Sequence, residues 1–328
     1  MTEAGVLPGV DVRALLGYLT RIGVVDAAAA AGPGVRVTDL SRSHLVLSVR
    51  FGDGRHVVVK RARPRPGEVA GDLGREVLAY RIAGSNRALA EVLPAPLWLD
   101  PAGRVLVTEA VEPGTTLYAD ALRNGPPPVG RARELGRVVG TWHRGTSSCR
   151  TGLSASTPWV LGILTAGSWR PPEADRVLVH GEVRRELRAA FAELTAALAP
   201  SCLIHGDLKW DNCLIDARGG VRVADWEHAT FGDPAWDVAG ILQDYVAVSR
   251  ASGERPGHDE SIAAFLSAYL DFVEPAHRQR FAERAARLTG ARLVQTALEY
   301  AATGVDLLGD ALRVLREPRT LLAAGSTW

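Results

Sequence analysis

The sequence predicts an α+β fold of two lobes, a small one built on an antiparallel sheet with one helix and a larger, mainly helical one. Three observations predict it. Residues 35–109 hold alternating, β-branched runs divided by tight-turn signals and interrupted by one helical stretch. Pro113-Gly114 and Gly125-Pro126-Pro127-Pro128 then break the pattern. From Val129 onward the apolar spacing is helical almost throughout.

The lobes divide into elements in order. Val12, Leu15, Leu16 and Leu19 share one helical face in an N-terminal extension over 1–34, which ends in an Ala/Gly linker. The small lobe, 35–112, begins with strands around Val35, Val37 and Leu45–Val49. A Gly52-Asp53-Gly54 turn leads into a strand that ends on Lys60. Residues 68–83 read as the helix, with Val77, Leu78 and Ile82 on one face. Strands over 92–99 and 104–109 flank an Asp100-Pro101-Ala102-Gly103 turn. The large lobe, 113–328, opens with a helix carrying Leu135, Val138, Val139 and Trp142 at i, i+3, i+4, i+7. Helices are expected over 181–199, 258–273, 276–289 and 290–308. A strand–turn–strand unit is expected within 202–226.

Composition narrows the function classes. The 328 residues are 47% hydrophobic and 23% charged, the profile of an ordinary soluble protein. A net charge of +1 gives no electrostatic case for nucleic acid or an anionic membrane as partner. No apolar run is long enough to span a bilayer, and residues 1–10 lack the basic-then-apolar order of a secretory signal. Cys149, Cys202 and Cys213 have neither disulfide-scaffold nor metal spacing. The expectation is a cytoplasmic protein with buried thiols, monomeric or homodimeric. Lysine is scarce: of 38 Lys and Arg residues only Lys60 and Lys209 are lysine. An ammonium is a compact point charge that arginine does not replace, so these two positions matter.

The chemistry concentrates in His205-Gly206-Asp207-Leu208-Lys209-Trp210-Asp211-Asn212, a polar stretch between two apolar triplets. Asp207 and Asn212 fall on a loop, and Asp225 falls at the end of the second hairpin strand. Carboxylate and amide oxygens converging beside a hairpin suit Mg²⁺, which completes its shell with phosphate and water. In the small lobe, Lys60 at a strand end either faces solvent, as strand lysines usually do, or pairs with Glu76 on the helix, which would place a point charge for phosphate oxygens.

These residues resemble the aminoglycoside phosphotransferase and choline kinase superfamily, small-molecule kinases with a protein-kinase-like fold. The resemblance rests on the 205–212 stretch, on Asp225-Trp226-Glu227, and on Gly232-Asp233-Pro234 followed by Trp236-Asp237-Val238-Ala239. Thr141-Trp142-His143 at the end of a helix adds to it. It covers roughly residues 35–310. It implies that Asp207 accepts or orients the proton of an acceptor hydroxyl, and that Asn212 and Asp225 hold Mg²⁺. It implies that Lys60, fixed by Glu76, meets the nucleotide phosphates of ATP or GTP. Residues 109–112, including Glu109 and Val111, would meet the adenine from an inter-lobe hinge. His205 and Asp237 would fix the loop.

Three departures mark this chain. The first hairpin, Asp39-Leu40-Ser41-Arg42-Ser43-His44, has no glycine, so Ser41, Ser43 or backbone amides are the candidates to reach phosphate. Glu227 follows the metal-ligand position by two residues and is a candidate for the metal shell or the acceptor. Lys209 stands where protein kinases carry a lysine that touches the transferred group, and the reading given it is transition-state charge stabilisation.

The expected function is transfer of a nucleotide γ-phosphoryl group to a hydroxyl of a small molecule. Asp211, Glu227 and Trp210 hint at an amino-bearing acceptor, with the wall supplied by 144–180 and 240–275. Aminoglycosides, choline-like amines, thiamine, sugars, homoserine and macrolides all fit. The alternatives are an inactive kinase fold used as a binding module, and a kinase acting on a peptide hydroxyl. The short gap from Asp225 to Asp237 argues against the second, and the presence of all five role-bearing residues argues against the first.

Overall fold

The computed structural model describes residues 11–63, 73–100, 102–149, 152–165, 178, 181–252, 257–300 and 307–322. The chain forms two compact units, Met1–Gly114 and Thr115–Trp328. The fold is α+β and kinase-like, with a five-stranded antiparallel sheet in the first unit and mostly helix in the second.

In the first unit, α1 (Val12–Arg21) and α2 (Ala27–Ala31) start on Asp11 and Asp26, whose carboxylates cap Ala14 and Ala29 N–H. The strands are β1 (Arg36–Asp39), β2 (Leu45–Arg50), β3 (His56–Arg61), β4 (Pro96–Leu99) and β5 (Val105–Glu109), in the order β1-β2-β3-β5-β4. Side chains alternate between the two faces. On one face Leu47, Val49, Val57, Val59 and Val107 form a buried core with Leu19 and Val25, joined by Leu15, Leu16 and Tyr18 of α1. The N-terminal helical segment is therefore part of this unit's core. The other face carries Val46, Ser48, Val58 and Lys60, matched across β2 and β3 as Val46↔Lys60 and Ser48↔Val58.

Two details differ from expectation. The described helix α3 is Gly74–Gly84, and residues 68–72 lie outside the described residues. The run over 92–99 is strand only from Pro96 (β4), and a short helix α4 (Arg87–Ala90), capped by the Asn86 side chain, precedes it. Pro94 has no N–H to give a ladder, so Val92 and Leu93 are buried as a connection instead.

Strand β6 (Pro113–Thr116) crosses the boundary between the units. In the second unit the helices are α5 (Leu117–Asn124), α6 (Val129–Thr146), α7 (Trp159–Gly162), α8 (Gly181–Ala197), α9 (Pro234–Ser252), α10 (His258–Leu270), α11 (Arg278–Glu299), α12 (Leu308–Arg316) and α13 (Arg319–Leu322). Two small antiparallel pieces sit among them: β7 (Cys202–Ile204) with β10 (Thr230–Gly232), and the hairpin β8 (Cys213–Asp216)–β9 (Val221–Val223). The two helices expected over 276–289 and 290–308 are instead one helix of 22 residues, α11, with a separate α12 beyond it. Gly290 does not end a helix here. A Cβ at Gly290 would lie 2.6 Å from Leu315 Cγ, so its role is to let α12 approach α11 closely. Among the described residues, no helix is long and apolar enough to cross a membrane.

Candidate active site

The loop 205–212 is held at both ends by α9. Asp237, in the first turn, accepts from the N–H groups of His205 (2.6 Å) and Gly206 (3.0 Å). Two turns later Asp244 accepts from Trp210 N–H (2.5 Å). Between them Gly240 faces the loop midpoint, where a Cβ would lie 2.0 Å from the Leu208 carbonyl oxygen. Positions 237, 240 and 244 are i, i+3 and i+7, one helix face. The helix therefore presents acceptor, gap, acceptor to a loop that presents donors at each end.

The Asp237 carboxylate also receives His143 Nε2 (3.1 Å), whose Nδ1 lies 2.9 Å from the Tyr269 hydroxyl. Burial pushes Asp237 up, but the hydrogen bond and charge of His143 and the loop amides more than offset this and hold it below its ordinary value. His205 is fully buried, and burial pulls its pKa down. Its Nδ1 accepts Asp207 N–H (3.3 Å) and its Nε2 lies 2.9 Å from the Ala224 carbonyl, the pattern of a neutral ring protonated at Nε2. His205 and Asp237 thus fix the loop.

Asp207 carries a cation on each oxygen. Lys209 Nζ lies 2.8 Å from Oδ2, while Arg292 Nη1 and Nη2 lie 3.2 and 3.1 Å from Oδ1. Burial raises the Asp207 carboxyl, but Arg292 and Lys209 override it and bring it down to about 2. Burial pulls Lys209 down, and the Asp207 charge reverses that and leaves it above its ordinary value.

Trp210-Asp211-Asn212 form a 3₁₀ turn leading into β8. Asn212 Nδ2 donates to the Asp207 carbonyl (2.9 Å), which leaves Oδ1 as the unspent end of the amide. Ala224 N–H donates to the Asn212 carbonyl (2.9 Å), so the β8–β9 ladder continues one step and brings Asp225 next to this point. Asp225 lies two residues past the end of β9, not at the strand end expected. Its φ of 67° makes it the one non-glycine residue with positive φ among those described. That conformation costs energy and turns the side chain out of the ladder. No group of three or more His, Cys, Asp or Glu side chains placed to hold a metal occurs among the described residues. The donor set here is instead one amide and one carboxylate, both hard oxygens, which matches a Mg²⁺ ion that takes most of its shell from phosphate and water.

The candidate acceptor-side residues divide. Trp210 has no exposed surface and stands edge-on to Tyr245 at 4.6 Å, which makes it core. Trp226 and Trp236 are also buried. Trp226 lies against Trp142 and His205, and Trp236 donates to the Gly206 carbonyl (3.0 Å). Glu227 Oε1 lies 3.4 Å from His228 Nε2, and that contact raises the His228 pKa. Asp211 is half-buried and close enough to Asp244 to push its carboxyl up. Burial is the larger cause, and together they bring Asp244 to about 7 despite the Trp210 hydrogen bond. Burial raises the Tyr118 hydroxyl too, aided by Asp244, Asp211 and Tyr300. An acidic, aromatic cluster therefore adjoins Lys209. Of the proposed walls, Trp159 is in α7 while Trp169 lies outside the described residues. Cys202 and Cys213 are buried free thiols.

The first unit carries its own polar pair. Lys60 Nζ lies 2.7 Å from Glu76 Oε2, with side chains only 9% and 3% exposed. Ser41 is spent within its loop: its Oγ accepts Val46 N–H (2.9 Å) and its N–H bonds Asp39 Oδ1 (2.8 Å). Ser43 lies in the same turn. After β5, Glu109 N–H goes to the Ala95 carbonyl and Ala110 N–H to the His56 carbonyl.

A family model described as the phosphotransferase enzyme family matches residues 37–288. The chain belongs to that family. It is a phosphotransferase, and its resemblance to the aminoglycoside phosphotransferase and choline kinase superfamily holds. The fold is similar to that of choline kinase LicA from Streptococcus pneumoniae, at 16% identity over 95% of this chain and 98% of that one, TM-score 0.57. It is also similar to macrolide 2'-phosphotransferase MphH from Brachybacterium faecium, at 21% identity over 92% and 97%, TM-score 0.53. A third similar structure is amicoumacin kinase hAmiN in complex with AMP-PNP, Ca²⁺ and Ami, at 16% identity over 87% and 88%, TM-score 0.53. No curated protein matches the sequence.

Sequence reading missed Arg292, Gly240 and Asp244. Arg292 is one of the chain's many arginines and lies 85 residues from Asp207. Asp244 had a findable signal, since it sits seven residues after Asp237 on the same helical face.

Proposed function

We propose that the protein transfers the γ-phosphoryl group of ATP, with Mg²⁺, to a hydroxyl of an amino-bearing small molecule. The observation that carries this reading is the Asp207 carboxylate, kept ionised between two cations beside the Asn212–Asp225 oxygens. A group that ionises near pH 2 is a weak proton acceptor. Asp207 would therefore orient the acceptor hydroxyl and take its proton late, as the acceptor oxygen bonds to the γ-phosphorus and the bond from that phosphorus to ADP breaks. Asn212 and Asp225 would hold Mg²⁺, which when bound neutralises charge on the phosphate oxygens. Lys209 would meet the transferring group, and Lys60, braced by Glu76, the phosphates of the nucleotide. The Val111 backbone and neighbouring Glu109 are the candidates for the adenine edge. The amino group of the acceptor would face Asp211, Tyr118 and Tyr300, since a carboxylate and ring faces favour a cation. The complex of hAmiN with AMP-PNP and Ca²⁺ is consistent with nucleotide and divalent cation use in this fold. The proposed location is the cytoplasm.

The test is a panel of amino alcohols, aminoglycosides and amino sugars, scored by ADP release with Mg²⁺·ATP. At least one should give turnover that disappears without Mg²⁺ and in Asp207→Ala, while that variant still binds ATP. A protein that shows neither a thermal shift with Mg²⁺·ATP nor ADP release is a binding module, and the proposal fails.

A further inference from the structure

Arg292 is an arginine in the middle of the long, buried helix α11, and only 2% of it is exposed. It is tied down from three directions. Two guanidinium nitrogens hold Asp207 Oδ1, Nη2 also reaches the Leu208 carbonyl (3.3 Å), and the guanidinium lies over the Trp236 ring at 5.1 Å. Trp236 in turn holds the Gly206 carbonyl. One side chain thus holds Asp207 and Leu208 directly and braces the Trp236 ring that holds Gly206. Lys209 is different in kind. Its side chain is 24% exposed, and its amine is bonded to Asp207 Oδ2. Moving Lys209 breaks one hydrogen bond of a partly exposed amine. Moving Arg292 breaks three and empties a packed space.

We propose that Arg292 is a positioning residue for phosphoryl transfer: it holds the Asp207 carboxylate in place and balances its charge when Lys209 leaves it for the oxygens of the transferring group. The two cations on one carboxylate then have separate jobs. If Lys209 were the only partner, its departure would leave a mostly buried carboxylate uncompensated at the moment the acceptor needs it in place. With Arg292 on Oδ1, Oδ2 is released to the acceptor hydroxyl as Lys209 swings away. Arginine suits the fixed job because its fork sets direction as well as charge. Lysine suits the exchangeable job because its three donors point wherever a partner stands. This inference rests on the kinase reading above.

The test uses Mg²⁺·ATP hydrolysis with water as acceptor, so no substrate need be known. Wild type, Arg292→Lys and Arg292→Gln are compared for kcat, for KM of ATP, for ATP affinity by calorimetry, and for Tm. Arg292→Gln should lose about 10²-fold in kcat and Arg292→Lys about tenfold, with KM within about twofold of wild type. A residue that only braces the helix would lower Tm and leave kcat unchanged in Arg292→Lys, and that result overturns the proposal. Equal loss of kcat and ATP affinity overturns it as well, by placing Arg292 in nucleotide binding. So does failure of both variants to fold, which would make Arg292 a folding residue. A wild type that neither binds nor hydrolyses Mg²⁺·ATP sinks the kinase reading itself, and the inference with it.

Discussion

Replacing Asp244 by Asn should make the protein more stable, and increasingly so as the pH rises. Asp244 is 8% exposed, lies near Asp211, and its carboxyl is raised from an ordinary 3.8 to about 7. The native state therefore keeps a proton that the unfolded chain releases. Stability from this group is fully present below about pH 4 and is lost as the pH climbs toward 7, because the native state binds more protons than the unfolded one. The gap of about three pH units is worth about 4 kcal/mol in full, of which about 3 kcal/mol falls between pH 5 and 8.5. Asparagine keeps an oxygen to accept Trp210 N–H and carries no charge to bury. Urea unfolding of wild type and Asp244→Asn, without nucleotide, across pH 5 to 8.5 isolates the effect, since every other titrating group is common to both. The variant should gain on wild type by about 3 kcal/mol over that range. Parallel stability curves would refute the reasoning and show that Asp244 is ionised in the native protein throughout.

Two further outcomes follow from the packing. Lys60→Met removes the ammonium that faces the buried Glu76 carboxylate, so chemical denaturation should show a loss of about 3–5 kcal/mol, and Lys60→Met/Glu76→Leu should recover much of it. ATP affinity should stay lost in the double variant, and if it returns Lys60 has no phosphate role. Gly240→Ala forces a methyl against the Leu208 carbonyl, at a cost of about 1–3 kcal/mol, and should lower kcat more than KM because the loop carrying Asp207 and Lys209 is displaced. An unchanged kcat with a lowered Tm would confine Gly240 to packing.

Which parts of the molecule could be read from the chain follows from how local the cause is. The β2–β3 hairpin, the lysine at its end and the helix behind it were legible because alternation, an Asp-Gly turn and helical spacing act within a few residues. The order of the 205–212 stretch and Asp225 was legible because the loop and hairpin are contiguous. The break expected between 289 and 290 is absent, and the role of Gly290 there depends on the approach of Leu315 from a helix that nothing local announces. Trp210 was open between core and acceptor wall because nothing local says that Tyr245, on α9, covers it. The clamp by Arg292 was invisible for the same reason: its partner is an ion pair formed across 85 residues.

The scarcity of lysine gains a physical meaning from these contacts. Arginine serves wherever a cation has only to brace. Arg284 holds Asp233 at 2.8 Å, Arg316 grips both oxygens of Glu186 at 2.6 Å, and Arg292 holds Asp207 from beneath the loop. The two lysines each sit on one carboxylate, Lys60 on Glu76 at 2.7 Å and Lys209 on Asp207 at 2.8 Å. An ammonium held on one side by a carboxylate still has donors to offer a phosphate, and it can turn between the two at little cost. A guanidinium forked onto a carboxylate has fixed its plane and its remaining donors with it. A chain that uses arginine for nearly every other positive charge thus keeps lysine at the two points where a cation must serve two anions in turn. By that logic Lys60→Arg and Lys209→Arg should each preserve charge and lose turnover, and wild-type kcat in either would break the link between lysine and phosphate handling.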